Sequence, residues 1–232
     1  MTKLIVSGSI FFMAAFFGAC NDRAQTADTA EKAVEKKETT ESGNPAKTIL
    51  FFGNSLTAGY GLEPTEAFPA LIQSKIDSMG LSYKAVNAGV SGETSAGGNS
   101  RIDWILKQPV DVFVLELGAN DGLRGIPVTE TRKNLQSIID KVKAKYPNAI
   151  MVMAGMQVPP NMGQKYANDF RNMFPELAKK NDMKLIPFLL EGVGGVRELN
   201  QADAVHPTAA GAKILAKNVW NVLQEVVKKQ VV

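Results

Sequence analysis

"VDVFVLELG", residues 110–118, carries six branched or aromatic apolar residues in nine positions and ends on a glycine. It shows no alternation of polar and apolar positions. A strand with one wet face alternates; a strand covered on both faces reads as a continuous apolar run. Four other stretches share the pattern: "TILFF" (48–52), "YKAVNAG" (83–89), "AIMVMAG" (149–155) and "KLIPFLL" (184–190). Amphipathic segments lie between and after them. These predict helices over Glu66–Ser78, Ser95–Lys107, Thr129–Lys145, Gly163–Lys180 and Thr208–Lys229. Pro69 and Pro175 are expected to mark kinks or ends within their helices. Doubly buried strands, each followed by a helix, build a parallel sheet with helices on both faces. The expected fold is α/β, a three-layer α/β/α arrangement on five parallel strands.

Open sheets of this kind bind ligands beyond the carboxyl ends of their strands. The loops there read "GNSLTAGYG", "NAGVSGETSAGG", "GANDGLRG", "GMQVPPNMG" and "LEGVGGV", and "DAVHPTAAG" precedes the last helix. His206 is the single histidine of the chain. Asp203 stands three residues before it, within reach of a ring nitrogen across one turn. Ser55 follows the first strand. A serine nucleophile needs a base to take its proton and a carboxylate to orient that base; Ser55, His206 and Asp203 are candidates for the three roles. Each has a plainer reading, as a turn serine, a surface histidine and a capping aspartate. The reaction also needs donors for the developing oxyanion. Gly92, which blocks no approach to its amide, and Asn120, whose amide group donates, lie in the second and third loops.

These blocks, in this order, resemble those of the SGNH, or GDSL-type, hydrolases, whose four letters correspond here to Ser55, Gly92, Asn120 and His206. "GNSLTAGYG", "NAGVSGETS", "LELGANDGLRG" and "DAVHPTAAG" are similar to the bacterial acyl-thioesterase/lysophospholipase/arylesterase subgroup, over Lys47 to the C-terminus. The resemblance implies a flavodoxin-like sheet and a Ser–His–Asp mechanism with no metal or other cofactor. It also implies an oxyanion hole from the backbone N–H groups of Ser55 and Gly92 and the Asn120 side chain. The substrate would be a small acyl ester or thioester. Asn54 departs from the family's usual Gly-Asp-Ser-Leu, and it raises the question of how the nucleophile turn is held. Turn chemistry needs only an acceptor, which asparagine and aspartate share. The resemblance further suggests that residues 156–163 cover an acyl chain, where the residues alone read equally as a proline-stiffened connection. Glu116, inside the third strand, is a carboxylate without an obvious place, and Arg124 is a possible partner.

Residues 1–20 read as an export signal. A basic start precedes the apolar Leu4–Phe17, which is too short for a comfortable membrane span. It ends at Cys20 after small residues, as in the lipobox of bacterial lipoproteins, with Phe17 where leucine is usual; an ordinary cleavage site with an incidental cysteine is the alternative. Residues 21–47 are charged and small and read as a tether. Residues 48–232 remain as one hydrolase domain, held to a membrane by lipid on Cys20 and placed in the periplasm or on the outer membrane. This domain carries 20 Lys/Arg against 17 Asp/Glu, a balance that gives no reason to expect nucleic acid. Two other functions use the same residues. One is a carbohydrate O-acetyl esterase. The other is a binding protein whose "GNSLTAG" loop grips phosphate with backbone amides.

Overall fold

The computed structural model of the chain describes residues 46–228. The signal segment, Cys20 and all but the last two residues of the expected tether lie outside the described residues. Five strands form one parallel sheet: β1 (Lys47–Gly53), β2 (Tyr83–Gly89), β3 (Val112–Glu116), β4 (Ile150–Ala154) and β5 (Lys184–Ile186). Their order across the sheet is β2-β1-β3-β4-β5. Seven helices accompany them: α1 (Ser55–Ala58), α2 (Phe68–Ser78), α3 (Ser95–Ile105), α4 (Ala119–Leu123), α5 (Val128–Lys145), α6 (Gln164–Lys180) and α7 (Ala209–Lys228). Helices α2 and α7 pack together on one face of the sheet; α3, α5 and α6 pack in sequence on the other. This is the three-layer arrangement expected from the doubly apolar strands.

The apolar runs do what their lack of alternation requires. All five residues of β3 are buried, and the last five of β1 are buried as well. Phe51 meets Phe68 of α2 edge-on at 5.6 Å, while Phe52 on the opposite face lies 5.7 Å from Phe113. In α6 the buried residues Phe170, Met173, Phe174 and Leu177 recur at helical spacing. Pro175 falls between them on the exposed face, where the carbonyl it leaves unbonded meets water, and the helix runs through it. Pro69 sits at the helix start, where its missing N–H costs nothing. Pro69 thus marks the N-terminal end of its helix, as one of the two expected outcomes has it, whereas Pro175 does not end α6.

Two differences from the expected elements bear on the site. The short helices α1 and α4 form in what read as loops, directly after β1 and β3. The fifth strand stops at Ile186, whereas an apolar strand was expected through Leu190. There the β4 end turns toward it: the Gly155 N–H donates to the Ile186 carbonyl at 2.8 Å and its carbonyl accepts from Leu189 at 3.0 Å. A Cβ on Gly155 would lie 2.2 Å from the Pro187 carbonyl oxygen, so only glycine admits this approach. The turn sends Phe188 and Leu190 out of the sheet and over the ends of the strands. The strand order reverses direction between β1 and β3, and the crevice at that switch point receives both α1 and α4.

Candidate active site

Asn54 caps α1: its side-chain carbonyl accepts from the Leu56 N–H at 2.9 Å. That cap places Ser55 as the first helical residue, 7% exposed, at the carboxyl end of β1. The Ser55 hydroxyl lies 2.9 Å from His206 Nε2, across 151 residues of chain. On the other side of the ring, His206 Nδ1 is 2.6 Å from Asp203 Oδ2. A carboxylate can only accept, so Nδ1 carries the ring proton and Nε2 is left to accept from Ser55. Bonds from the His206 ring, from the His206 N–H and from the Val205 N–H hold the Asp203 carboxyl down at about 2. Ala204 pays for this turn with a left-handed φ of 57°, a conformation that strains a residue with a Cβ.

The last turn is tied to the first. Gln201 Nε2 donates to the Tyr60 carbonyl at 2.7 Å and to the Pro207 carbonyl at 2.9 Å. The Tyr60 ring packs on the His206 ring with 4.6 Å between centroids. Sequence reading missed Tyr60 and Gln201, and nothing in their local pattern distinguishes them from ordinary loop residues.

Asn120 is the second residue of α4. Its side-chain NH2 donates to the Glu93 carbonyl at 3.0 Å, which fixes the amide plane and leaves a second N–H on the same nitrogen. Gly92 stands one residue before Glu93, and its carbonyl accepts from Arg124 at 3.1 Å. This loop is held from below. Arg101 grips the Glu93 carboxylate with two nitrogens, each at 2.6 Å, and reaches the Ala88 carbonyl at 2.8 Å. Buried Asp121 accepts from the Ser95 N–H at 2.8 Å and from the hydroxyls of Ser95 and Thr131, joining the loop's end to α4 and α5. Among the described residues, neither the Ser55 nor the Gly92 amide N–H has an acceptor.

Glu116 is not paired with Arg124. It ends β3 opposite Gly53 of β1, buried to 1% exposure beneath the Ser55 turn. The Asn54 N–H donates to its Oε2 at 3.1 Å, the Asn54 side-chain NH2 to its Oε1 at 2.7 Å, and the Thr57 hydroxyl to Oε2 at 2.7 Å. Burial pushes its carboxyl up to about 7, against the opposing pull of those bonds. Gly53 makes room for the arrangement, since a Cβ there would lie 2.1 Å from the Thr57 hydroxyl and 2.5 Å from Glu116 Oε2. The phosphate-cradle reading of this loop meets an obstacle here. The Asn54 amide is taken by a carboxylate and the Leu56 amide by the Asn54 side chain.

Ser55, Asn120, Asp203 and His206 line one cavity of about 670 Å³. Its other walls are mostly apolar: Leu123, Met156, Val158, Pro159, Phe188 and Leu190 among them. Residues 156–159 form one wall of this cavity, and residues 161–163 are not part of its lining. Gly92 is not among the lining residues; it adjoins Glu93, whose carbonyl accepts from Asn120.

The family model of the GDSL-like lipase/acylhydrolases matches residues 51–214. The chain belongs to that family. Esterase TesA of Pseudomonas aeruginosa is 39% identical over 180 residues, covering 77% of this chain and 89% of the relative. The thioesterase 1/protease 1/lysophospholipase L1 of Escherichia coli is 38% identical over 183 residues, covering 78% and 86%. Among solved structures, the psychrotrophic esterase EstA from Pseudoalteromonas sp., inhibited by monoethylphosphonate, superimposes with a TM-score of 0.73 at 33% identity, covering 78% of this chain and 99% of that one. As a GDSL-family hydrolase, this chain is an enzyme of the carboxylic ester hydrolase class.

Proposed function

We propose that the chain is an exported, lipid-anchored serine hydrolase that cleaves carboxylic esters or acyl thioesters through an acyl-enzyme on Ser55. The observation that supports this most is the unbroken line from Ser55 Oγ through the His206 ring to Asp203, at the polar end of an apolar cavity. The acyl chain lies along the apolar walls. Ser55 Oγ attacks the carbonyl carbon while His206 Nε2 takes the hydroxyl proton, and Asp203 faces the imidazolium that results. The N–H groups of Ser55 and Gly92 and the free Asn120 side-chain N–H receive the oxyanion. Collapse of the tetrahedral intermediate expels the alcohol or thiol, which leaves with the proton from His206. Water then enters, gives its proton to His206 and attacks the acyl-serine; the acid departs and the hydroxyl proton returns to Ser55. A fluorophosphonate probe is expected to label the wild-type protein on Ser55. A labelled peptide lacking Ser55, or no labelling of an active preparation, would contradict the scheme.

Asn120→Ala is expected to lower kcat by roughly 10²-fold to 10³-fold with little change in KM, because the oxyanion exists only beyond the ground state. Steady-state kinetics on an aryl ester measures both. A raised KM with unchanged kcat would make Asn120 a binding residue instead.

The anchoring part rests on residues outside the described range, on the apolar Leu4–Phe17 segment and the small residues before Cys20. Expressed in a bacterium with labelled palmitate, the full chain is expected to take up label and sediment with membranes, and Cys20→Ser to do neither. A wild-type chain that takes up no label would make the domain simply secreted.

A further inference from the structure

We propose that Glu116 is the positioning residue of the Ser55 turn, and that Asn54 is matched to it as donor to acceptor. This inference rests on the reading of Ser55 as nucleophile. The Ser55 hydroxyl must stand at a set height above β1 to meet His206 at 2.9 Å. Residues 54–57 that carry it are buried: Leu56 packs into the core and the Asn87 side chain of β2 donates to the Thr57 carbonyl at 2.8 Å. From β3, Glu116 holds both sides of Ser55. Its two oxygens take three donors from this turn: the Asn54 N–H, the Asn54 side chain and the Thr57 hydroxyl. The donors flank Ser55 on both sides in sequence, so a shift of the carboxylate carries the nucleophile with it.

Asn54 serves two masters. Its Oδ1 caps α1 through the Leu56 N–H, and its Nδ2 donates to Glu116 Oε1. An aspartate would keep the first bond and lose the second. It would put two carboxyl groups 2.7 Å apart in a buried site, which hold together only while they share a proton. Among the described residues, no charged partner reaches Glu116 to relieve that. Arg101 of α3 is committed to Glu93 and touches this region only at the Gly53 carbonyl, at 3.4 Å. His206 is engaged with Asp203 and Ser55 above the turn. The acceptor that sequence reading found sufficient at residue 54 is therefore half of what the position does.

The donor–acceptor logic can be inverted. In Glu116→Gln, the glutamine oxygen must occupy the Oε2 place, where two donors converge, so its NH2 group faces the Asn54 NH2. In the double variant Asn54→Asp/Glu116→Gln the same NH2 faces an acceptor, and the bond is remade with its direction reversed. Three variants are compared with the wild type by kcat and KM on an aryl ester, by pH profile, and by circular dichroism for folding. Glu116→Gln is expected to lose about 10-fold to 10²-fold in kcat at nearly constant KM, the size of effect a misplaced reacting group produces. Asn54→Asp is expected to approach wild-type kcat at acid pH and to fall away from it toward about pH 9, as the shared proton is lost. The double variant is expected to recover kcat to within about fivefold of the wild type across the range, which is coupling between contacting residues. If either single variant does not fold, recovery of folding in the double variant supports the same pairing. The proposal is overturned if the double variant is no better than the worse single one, or if both single variants match the wild type at every pH. Ser55→Ala is run in parallel. An active Ser55→Ala protein would remove the nucleophile reading and this inference together, whereas an inactive one with a failed double variant would remove the inference alone.

Discussion

Ser55→Ala is expected to lower kcat/KM for an aryl ester by about 10⁴-fold to 10⁶-fold, with circular dichroism unchanged. The side chain removed is small, and the α1 turn is held by Asn54, Thr57 and Glu116, none of which needs the serine hydroxyl. Folding therefore survives while the attacking oxygen is gone. What remains is the cavity and the proposed oxyanion donors, which by themselves account for about 10³-fold to 10⁴-fold over water in a serine hydrolase. A Ser55→Ala protein with a tenth of the wild-type activity would refute the nucleophile assignment.

His206→Ala is expected to cost a comparable factor, and the double variant with Ser55→Ala to cost no more than either alone, since the two groups act as one unit. No second histidine exists to take over. In the wild type, activity is expected to fall at acid pH, because an imidazole that already holds a proton on Nε2 cannot accept one from Ser55. Asp203 does not contribute to that fall near neutrality. Its carboxyl is held at about 2 by the His206 bonds, so it stays ionised until far below the working range. A pH–rate profile without an acid limb, or a His206→Ala protein within tenfold of the wild type, would exclude His206 as the base.

The members of the candidate site were legible because each sits in a short, unusual local pattern. Asp203 and His206 are three residues apart before a helix, and Ser55 follows an apolar run that ends at a glycine. Glu116 stood out as a charge in a buried strand, yet its partners could not be read. Arg124, eight residues on, was a possible one. The actual partners, Asn54 and Thr57, lie in the turn directly after β1, because the parallel register sets Gly53 against Glu116. Phe188 and Leu190 read as part of the fifth strand. Their composition fits one, and only the backbone approach at Gly155 turns them into cavity walls.

Five short, largely apolar runs, each followed by an amphipathic segment, pointed to a parallel sheet between two helical layers before any contact was known. Turn and cap residues determined where its reactive loops begin. These are short-range properties, carried by the period of apolar side chains and by the conformations that glycine, proline and asparagine allow. The strand order β2-β1-β3-β4-β5 was decided only in the folded chain. So were the meeting of Ser55 with His206 across 151 residues and the seating of the Ser55 turn on Glu116. The physical reason is that strand neighbours and their register are chosen by which faces bury together, a balance summed over the whole core. A buried carboxylate then takes whichever donors that register brings above it.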